Sequence, residues 1–302
     1  MSTATVNTRS ETPRRELPWR RRGEAGFDKP TLPGFIGRYL LLLFCFVITV
    51  GPFLWELSTS LKGPGDDIYA FPPSLIPSNP TLDNYSEVLR TGAVISYAWH
   101  SLLVGIGTVL TNVVFSTFAG YAFAQMKFRG KGLFMAIMLS TLLLPGEVTL
   151  TSQYLTIKSL GAANSLVGVF LPGAISAMNV LLMYTAARAI PNSILDAAAI
   201  DGATTYQRLR HIVWPNVKGM ASVVALMSFI CAGYDFLWPL VVLNEPEKYT
   251  LTVGMQYLQS SFGTDQRVVA AGTMIALIPL IILFAFAQKY FFKGVEAGGV
   301  KG

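Results

Sequence analysis

The sequence predicts an all-α membrane protein with six transmembrane helices and a helical loop on one face. Three observations predict it. Of the 302 residues, 52% are apolar and only 13% charged, against about a quarter charged in soluble domains, and the mean hydropathy is +0.48. Six apolar runs each reach the ~20 residues that a helix needs to cross a bilayer's hydrocarbon. The basic residues collect on alternate loops, as the topology of a multi-span protein requires.

The elements follow in order. Residues 1–35, with "PRRELPWRRRG" at their centre, carry no apolar face and predict a disordered basic tail. The apolar run that follows is too long for a cleaved signal peptide and lacks an A-x-A site, so it predicts an uncleaved signal anchor. The six spans are predicted near 35–57, 97–125, 133–154, 166–187, 220–243 and 268–290, within a membrane domain covering 36–302. Helices suit them because backbone groups in lipid must be satisfied internally. The short alternating segments of a β-barrel are absent from the sequence. Pro52, Pro145, Pro172, Pro239 and Pro279 fall in or beside these spans. Each is either a bend in a cavity-lining helix or one of the prolines that membrane helices commonly tolerate. The small-residue run "GAISA" at 173–177 lets helices approach closely.

Charge placement sets the orientation. Lys62, Arg90, Lys158, Lys248 and Arg267 fall on one side, and the other 18 of the 23 basic residues fall on the side of the N-terminus. The positive-inside rule then puts both termini in the cytoplasm of a bacterial cell membrane. It also accounts for the net charge of +6 without nucleic acid as a partner. Cys45 and Cys231 lie inside apolar spans, and His100 and His211 are isolated, so no disulfide framework, metal spacing or His-based site is expected.

The longest inner loop, 188–218, carries "DAAAIDGATTYQRLRHIVWPNVKG" from Asp196. Ser193 and Asp196 fit an S-x-x-D box, which predicts a helix over Ile194–Asp201. Gly202 suits a left-handed cap. Thr204 or Thr205 can cap a second helix that Pro215 stops before the fifth span. Ala197, Ala198 and Ala199 make the first helix slim enough for another protein's groove, with Asp196 and Asp201 beside it and Arg208 and Arg210 on the second helix. The alternative is an amphipathic connector lying on the membrane. The chain has no Walker A sequence, so an ATP-driven mechanism would require another subunit to hydrolyse the nucleotide.

"DAAAIDGATTYQRLRHIVWP" resembles the EAA loop of ABC-importer permeases, whose pattern is roughly E-A-A-x-x-D-G-A followed further on by I-x-L-P. Asp196, Ala197 and Ala198 take the E-A-A positions, Asp201, Gly202 and Ala203 the D-G-A positions, and Ile212 and Pro215 the closing ones. "NSLVGVFLP", "YDFLWPLVVL" and the ending "GVEAGGVKG" are similar to the carbohydrate branch, the maltodextrin-type permease in its six-span form. Three positions depart from the pattern. Asp196 stands for the usual Glu, Gly219 stands near a second proline, and Gly233 and Tyr234 stand for a common Trp-Asn pair. The resemblance implies the type I ABC-importer permease fold. Its partners would be a second homologous permease subunit, two copies of a cytoplasmic ABC ATPase and an external solute-binding protein. It also implies that ATP and Mg sit on the ATPase subunits, with no cofactor in this chain, and that Asp196–Ala198, Asp201–Ala203, Arg208, Ile212 and Pro215 couple ATP hydrolysis to transport.

Asp235 is the clearest charge inside a predicted span. An intramembrane carboxylate costs about 2.5–3.5 kcal/mol on insertion scales, so it should face a cavity or a partner. With Tyr234, Phe236 and Trp238 beside it, it suits a sugar's hydroxyls and apolar face; equally, Trp238 could belong to an interface belt and Asp235 to a structural polar pair. The loop Asn244–Arg267 holds Tyr249, Met255, Tyr257 and Phe262, large groups for a solvated loop. They suggest a contact for the solute-binding protein, or packing of the loop on its own outer surface. The expected function is the transmembrane permease subunit of an ATP-driven importer for di- or oligosaccharides. The alternatives are the same complex importing glycerol-3-phosphate-like solutes, or an ion-coupled secondary transporter, for which Asp235 is the candidate titratable group.

Overall fold

The computed structural model describes residues 32–71, 74–90, 92–261 and 265–299, so most of the expected tail at 1–35 lies outside the described residues. The described chain is helical: α1 (Leu32–Ser60), α2 (Asp83–Arg90), α3 (Ala93–Gln125), α4 (Lys131–Ser140), α5 (Leu150–Ser159), α6 (Leu166–Phe170), α7 (Ala177–Arg188), α8 (Asn192–Ile200), α9 (Thr205–Arg208), α10 (Trp214–Tyr234), α11 (Leu237–Val242), α12 (Leu251–Ser261) and α13 (Gln266–Gly299). One isolated bridge, Lys62 with Pro80, is the strand-like pairing among the described residues.

The chain divides into two units at Phe53/Leu54, inside α1. In the first unit the large side chains of α1, including Leu40, Phe44, Phe46 and Ile48, are exposed on every side, as a helix surrounded by hydrocarbon should be. The second unit is built on α3, which runs against α7 and α10. A side chain at Gly120 of α3 would come within 2.7 Å of the backbone of Met183 and Tyr184 on α7. Glycine is therefore what lets these two backbones meet. Buried clusters sit at opposite ends of α3. Tyr121, Met183, Val213, Val217 and Val224 pack at the α8 end. Val88, Val94, Tyr97, Leu258 and Ala271 pack at the α12 end.

The all-α, multi-span expectation holds, but the spans are less regular than predicted. Ile36–Ser60, Ala93–Gln125 and Thr205–Tyr234 are long and apolar enough to cross a bilayer. The third expected span is not straight: Lys131–Leu143 and Gly146–Ser159 meet at 105°. Pro145 explains the corner. It forces Leu144 into an extended conformation (φ −90°, ψ 125°) and cannot continue the helix. The fourth span is broken between α6 and α7, where Pro172 and Gly173 interrupt it. The fifth expected span ends at Tyr234, and Asp235 is extended (φ −66°, ψ 122°). Asp235 therefore lies at a break and not within a continuous helix. Pro239 falls in the first turn of α11, where backbone N–H groups have no helical partner in any case. The sixth span is α13, whose described apolar part runs Gln266–Pro279.

The segment Asn244–Arg267, read as either a partner contact or a loop packed on its own outer surface, contains α12, which buries Leu258 against Val88 and Val268, with Tyr249 and Met255 packed on the same cluster. An amphipathic helix has somewhere to put its apolar face, so the large side chains serve the fold before any partner. Nearby, Arg267 donates to the Gly63 carbonyl (2.7 Å) and pairs with Asp265 (3.0 Å), holding the segment after α1 against the start of α13.

Candidate functional site

The loop helices are built by local chemistry. The expected Ser193–Asp196 cap does not form: α8 starts two residues earlier, behind Pro191 in an extended conformation, and no side-chain cap bond is made there among the described residues. A proline fixed near φ −65° already presets the chain for a helix start. At the other end Gly202 adopts φ +79°. The Ala203 N–H donates to the Ala198 carbonyl and the Gly202 N–H to that of Ala199. These are the two bonds of a Schellman cap. Thr204 then caps α9, with Thr204 and Gln207 each bonding the other's backbone N–H.

Pro215 does not end the second loop helix, contrary to the sequence expectation. Thr205 to Tyr234 is one continuous 30-residue helix. A single π turn over Leu209–Val213, in which the Trp214 N–H reaches back to the Leu209 carbonyl, precedes the proline. The wider turn absorbs the register error that a proline ring introduces. The fifth span and the second loop helix are thus one rod. Leu195 of α8 and Leu209 and Val213 of the π turn are buried in the cluster with Tyr121, Met183 and Val224, so both loop helices are anchored to α3, α7 and α10.

The outward face of the loop is apolar where a solvated loop should be polar. Ile200 is 86% exposed and Tyr206 62% exposed, and Ala197 is exposed between Ile194 and Ile200. Asp201, Gly202, Ala203, Arg208 and Ile212 come together around an open notch of about 340 Å³. Within it the Arg208 Nε is shielded and has no hydrogen-bond partner among the described residues. Asp196, Ala197 and Ala198 on α8, and Pro215 beyond the π turn, are not part of that notch.

The second feature is a cavity of about 610 Å³ between α3, α5, α6, α7, α10 and α11. Asp235 and Trp238 line it; Tyr234 and Phe236 do not, and Tyr234 is 69% exposed. The Trp238 indole N–H is occupied, donating to the Gly168 (3.2 Å) and Val169 (3.0 Å) carbonyls of α6. Trp238 is therefore a wedge that fastens α11 to α6. One oxygen of Asp235 accepts from the Trp238 backbone N–H (3.3 Å). Of the four residues expected to meet an outer partner, Tyr249 and Met255 are partly buried and Tyr257 is 41% exposed. Phe262 lies outside the described residues.

The sequence reading missed a polar chain in the cavity wall. Asn112 of α3 donates to the carbonyls of Thr108 and Gly173. It accepts from the Ser176 N–H (3.1 Å) and the Asn179 amide (2.9 Å). Asn179 of α7 in turn donates to Ser228 of α10 (3.0 Å). The signal was present in "TVLTNVVF" and "SAMNVLLM", where an asparagine interrupts an apolar run, but a search for intramembrane charges passes over amides.

Residues 112–297 match the family described as the binding-protein-dependent transport system inner membrane component. The chain is 32% identical over 228 residues to the arabinooligosaccharides transport system permease protein AraQ of Halalkalibacterium halodurans, covering 75% of this chain and 81% of that one. It is 33% identical over 271 residues to the galactooligosaccharides transport system permease protein GanQ of Bacillus subtilis, covering 87% and 94%. The maltodextrin transport system permease protein MdxG of Bacillus subtilis is 29% identical over 269 residues, covering 87% and 95%. Among solved structures, a chain of a bacterial ABC transporter involved in importing the acidic polysaccharide alginate superposes with a TM-score of 0.77 at 22% identity, covering 85% of this chain and 96% of that chain.

Proposed function

This chain belongs to the binding-protein-dependent transport inner membrane component family, and from that premise we propose that it is the subunit through which an ATP-driven importer passes an oligosaccharide. It is a multi-span inner-membrane permease and not itself an ATPase. The sugar class is taken from the relatives, whose names specify arabino-, galacto- and malto-oligosaccharide transport. Glycerol-3-phosphate-like solutes and ion coupling are not favoured by any of them.

The observation that carries the mechanism is the loop. A short helix displays Ile200 at 86% exposure, and its partner helix is continuous with the fifth span from Thr205 to Tyr234. An exposed apolar knob on a rigid mount is a docking feature. We assign it to a cleft of a cytoplasmic ABC ATPase, with Ala197, Ala198 and Ala203 allowing close approach. Asp196, Asp201 and Arg208 would provide charge registration, worth about 0–1 kcal/mol per exposed pair. Two ATPase copies, holding ATP and Mg, would close on nucleotide and carry the loop with them. The rod would tilt, and the cavity lined by Asp235 would open alternately to each side against a second permease subunit. On this reading both termini and the α8 loop lie in the cytoplasm. It leaves the α12 end, with Tyr257, for the external solute-binding protein.

The test is purification of the complex. A tagged chain should bring down a second permease and an ATPase pair, and hydrolysis should rise when solute-loaded binding protein is added. Solute accumulation by this chain reconstituted alone, without ATP, would overturn the reading.

A further inference from the structure

We propose that the polar wall of the cavity is a solute subsite belonging to this subunit, and that it accepts neutral polyhydroxylated solutes while turning away anionic ones. This rests on the cavity being the transport pathway.

The orientation of the amides fixes the chemistry. Asn112 faces two backbone carbonyls, those of Thr108 and Gly173, so its nitrogen must point to them and its oxygen to the Ser176 N–H. The atom of Asn179 that meets the Asn112 oxygen must then be nitrogen. Amide orientation is normally assigned from such a network, and here the carbonyls leave no second solution. Asn112 consequently uses all four of its hydrogen-bonding positions. Asn179 uses both of its N–H groups, on Asn112 and on Ser228, and its carbonyl oxygen has no partner among the described residues. Asn179 is 7% exposed and Ser228 3% exposed, and both line the cavity. That oxygen is open to the cavity, where a hydroxyl can reach it. Ser228 accepts from Asn179, which leaves its own hydroxyl hydrogen free to donate. An acceptor and a donor thus stand side by side, the complement of a hydroxyl group that donates and accepts at once.

The wall continues along α10. Ser228, Cys231, Ala232 and Asp235 recur at the spacing of one helix face, and all four line the cavity. Asp235 directs one oxygen at the Trp238 N–H, and its second oxygen has no partner among the described residues. Gln153 of α5 donates to Thr149 and also lines the cavity, and its amide oxygen has no partner among the described residues. The available atoms are therefore two amide oxygens and a carboxylate oxygen that accept, the second Gln153 N–H that donates, and the Ser176 and Ser228 hydroxyls that can do either. They suit a solute whose hydroxyl groups both donate and accept. Among the described residues no Lys, Arg or His lines the cavity, and Asp235 is the one charged group there. A phosphate or uronate entering would meet a carboxylate with no counter-charge among the described lining residues, and like charge at close range disfavours entry.

Cys231 supplies the reporter, because it lines the same face and is one of two cysteines in the chain. In the assembled importer carrying Cys45→Ala, alkylation of Cys231 by N-ethylmaleimide is followed by mass spectrometry of this chain. The measurement is made with and without ATP, and with matched neutral and acidic probes: galactotriose, maltotriose or arabinotriose against trigalacturonate. We expect at least one neutral trisaccharide to slow alkylation several-fold and trigalacturonate to have no effect. Ser228→Ala should weaken the protecting concentration about tenfold. Asp235→Asn should let trigalacturonate protect as well. Both substitutions are nearly isosteric, and retention of the ATP-dependent change in alkylation shows that each variant is folded and coupled. Protection by none of the neutral probes, or equal protection by trigalacturonate in the unsubstituted chain, overturns the subsite while leaving the pathway intact. A Cys231 that never alkylates in any nucleotide state instead sinks the pathway reading on which the subsite stands.

Discussion

A break in a transmembrane helix releases backbone groups that the helix no longer satisfies, and each needs a partner from protein or from a cavity. Between Phe170 and Ala177, Asn112 answers two of them, taking the Gly173 carbonyl and the Ser176 N–H on one side-chain amide. The amide has the donor and acceptor of a peptide unit, so it replaces the piece of helical ladder that Pro172 and Gly173 remove. Leucine is close to asparagine in size and offers neither group. Asn112→Leu is therefore expected to orphan both backbone partners and the Asn179 N–H, at about 1–3 kcal/mol for each group left buried and unpaired. The check is thermal unfolding in detergent: a midpoint several degrees lower is expected, and a midpoint unchanged from the parent would mean that the break is held by something else. This residue also shows why part of the site was illegible. An asparagine in an apolar run can face lipid, a neighbouring helix or a cavity, and which of these holds depends on a chain segment 61 residues away.

At the scale of elements, the local signals were readable and the long-range ones were not. Gly202 at the end of α8 and Thr204 at the start of α9 stand as turn and cap chemistry requires, because both act within four residues of themselves. Ser193 failed as a cap because Pro191 had already begun the helix. Pro215 failed as a stop because a π turn upstream absorbed its ring. Pro145, Pro172 and the Asp235 break were all visible as interruptions, but not the angle each would take, since neighbours set it. The packing of α12 was likewise hidden: its apolar side chains identify a covered face without saying whether a partner or the protein itself covers it. Gly120 makes this dependence testable. In sequence it is one small residue among several, whereas in the fold a Cβ there would lie 2.7 Å from main-chain atoms of α7, which cannot rotate away. Gly120→Leu should push α3 and α7 apart, giving poor membrane accumulation and a chain that elutes as an aggregate. Normal yield and a single monodisperse peak would show that the contact tolerates separation.

On the scale of the whole molecule, the question is how a force applied at one end reaches a cavity near the other. On the proposed docking, the route runs from the exposed Ile200 through the Schellman cap at Gly202 and the Thr204 cap into an unbroken helix to Tyr234, next to which Asp235 enters the cavity wall. Leu195, Leu209 and Val213 prevent the loop from hinging away from the bundle. Coupling through such a route needs stiffness along its whole length, because a flexible joint lets the ATPase move while the span stays still. Two glycines inserted between Ala203 and Thr204 would leave the knob, both helices and the cavity chemically intact and remove only the rigid joint. The expected phenotype is specific: the complex still assembles and hydrolyses ATP, but loaded binding protein no longer stimulates hydrolysis and solute uptake into vesicles falls to background. If uptake per ATP hydrolysed stayed at the parental value, the loop would be a tether and the force would have to enter the bundle by another contact. A companion insertion at the apex of the α4–α5 corner, outside the route, should leave the stoichiometry unchanged, so a loss common to both would report general damage and not a broken lever.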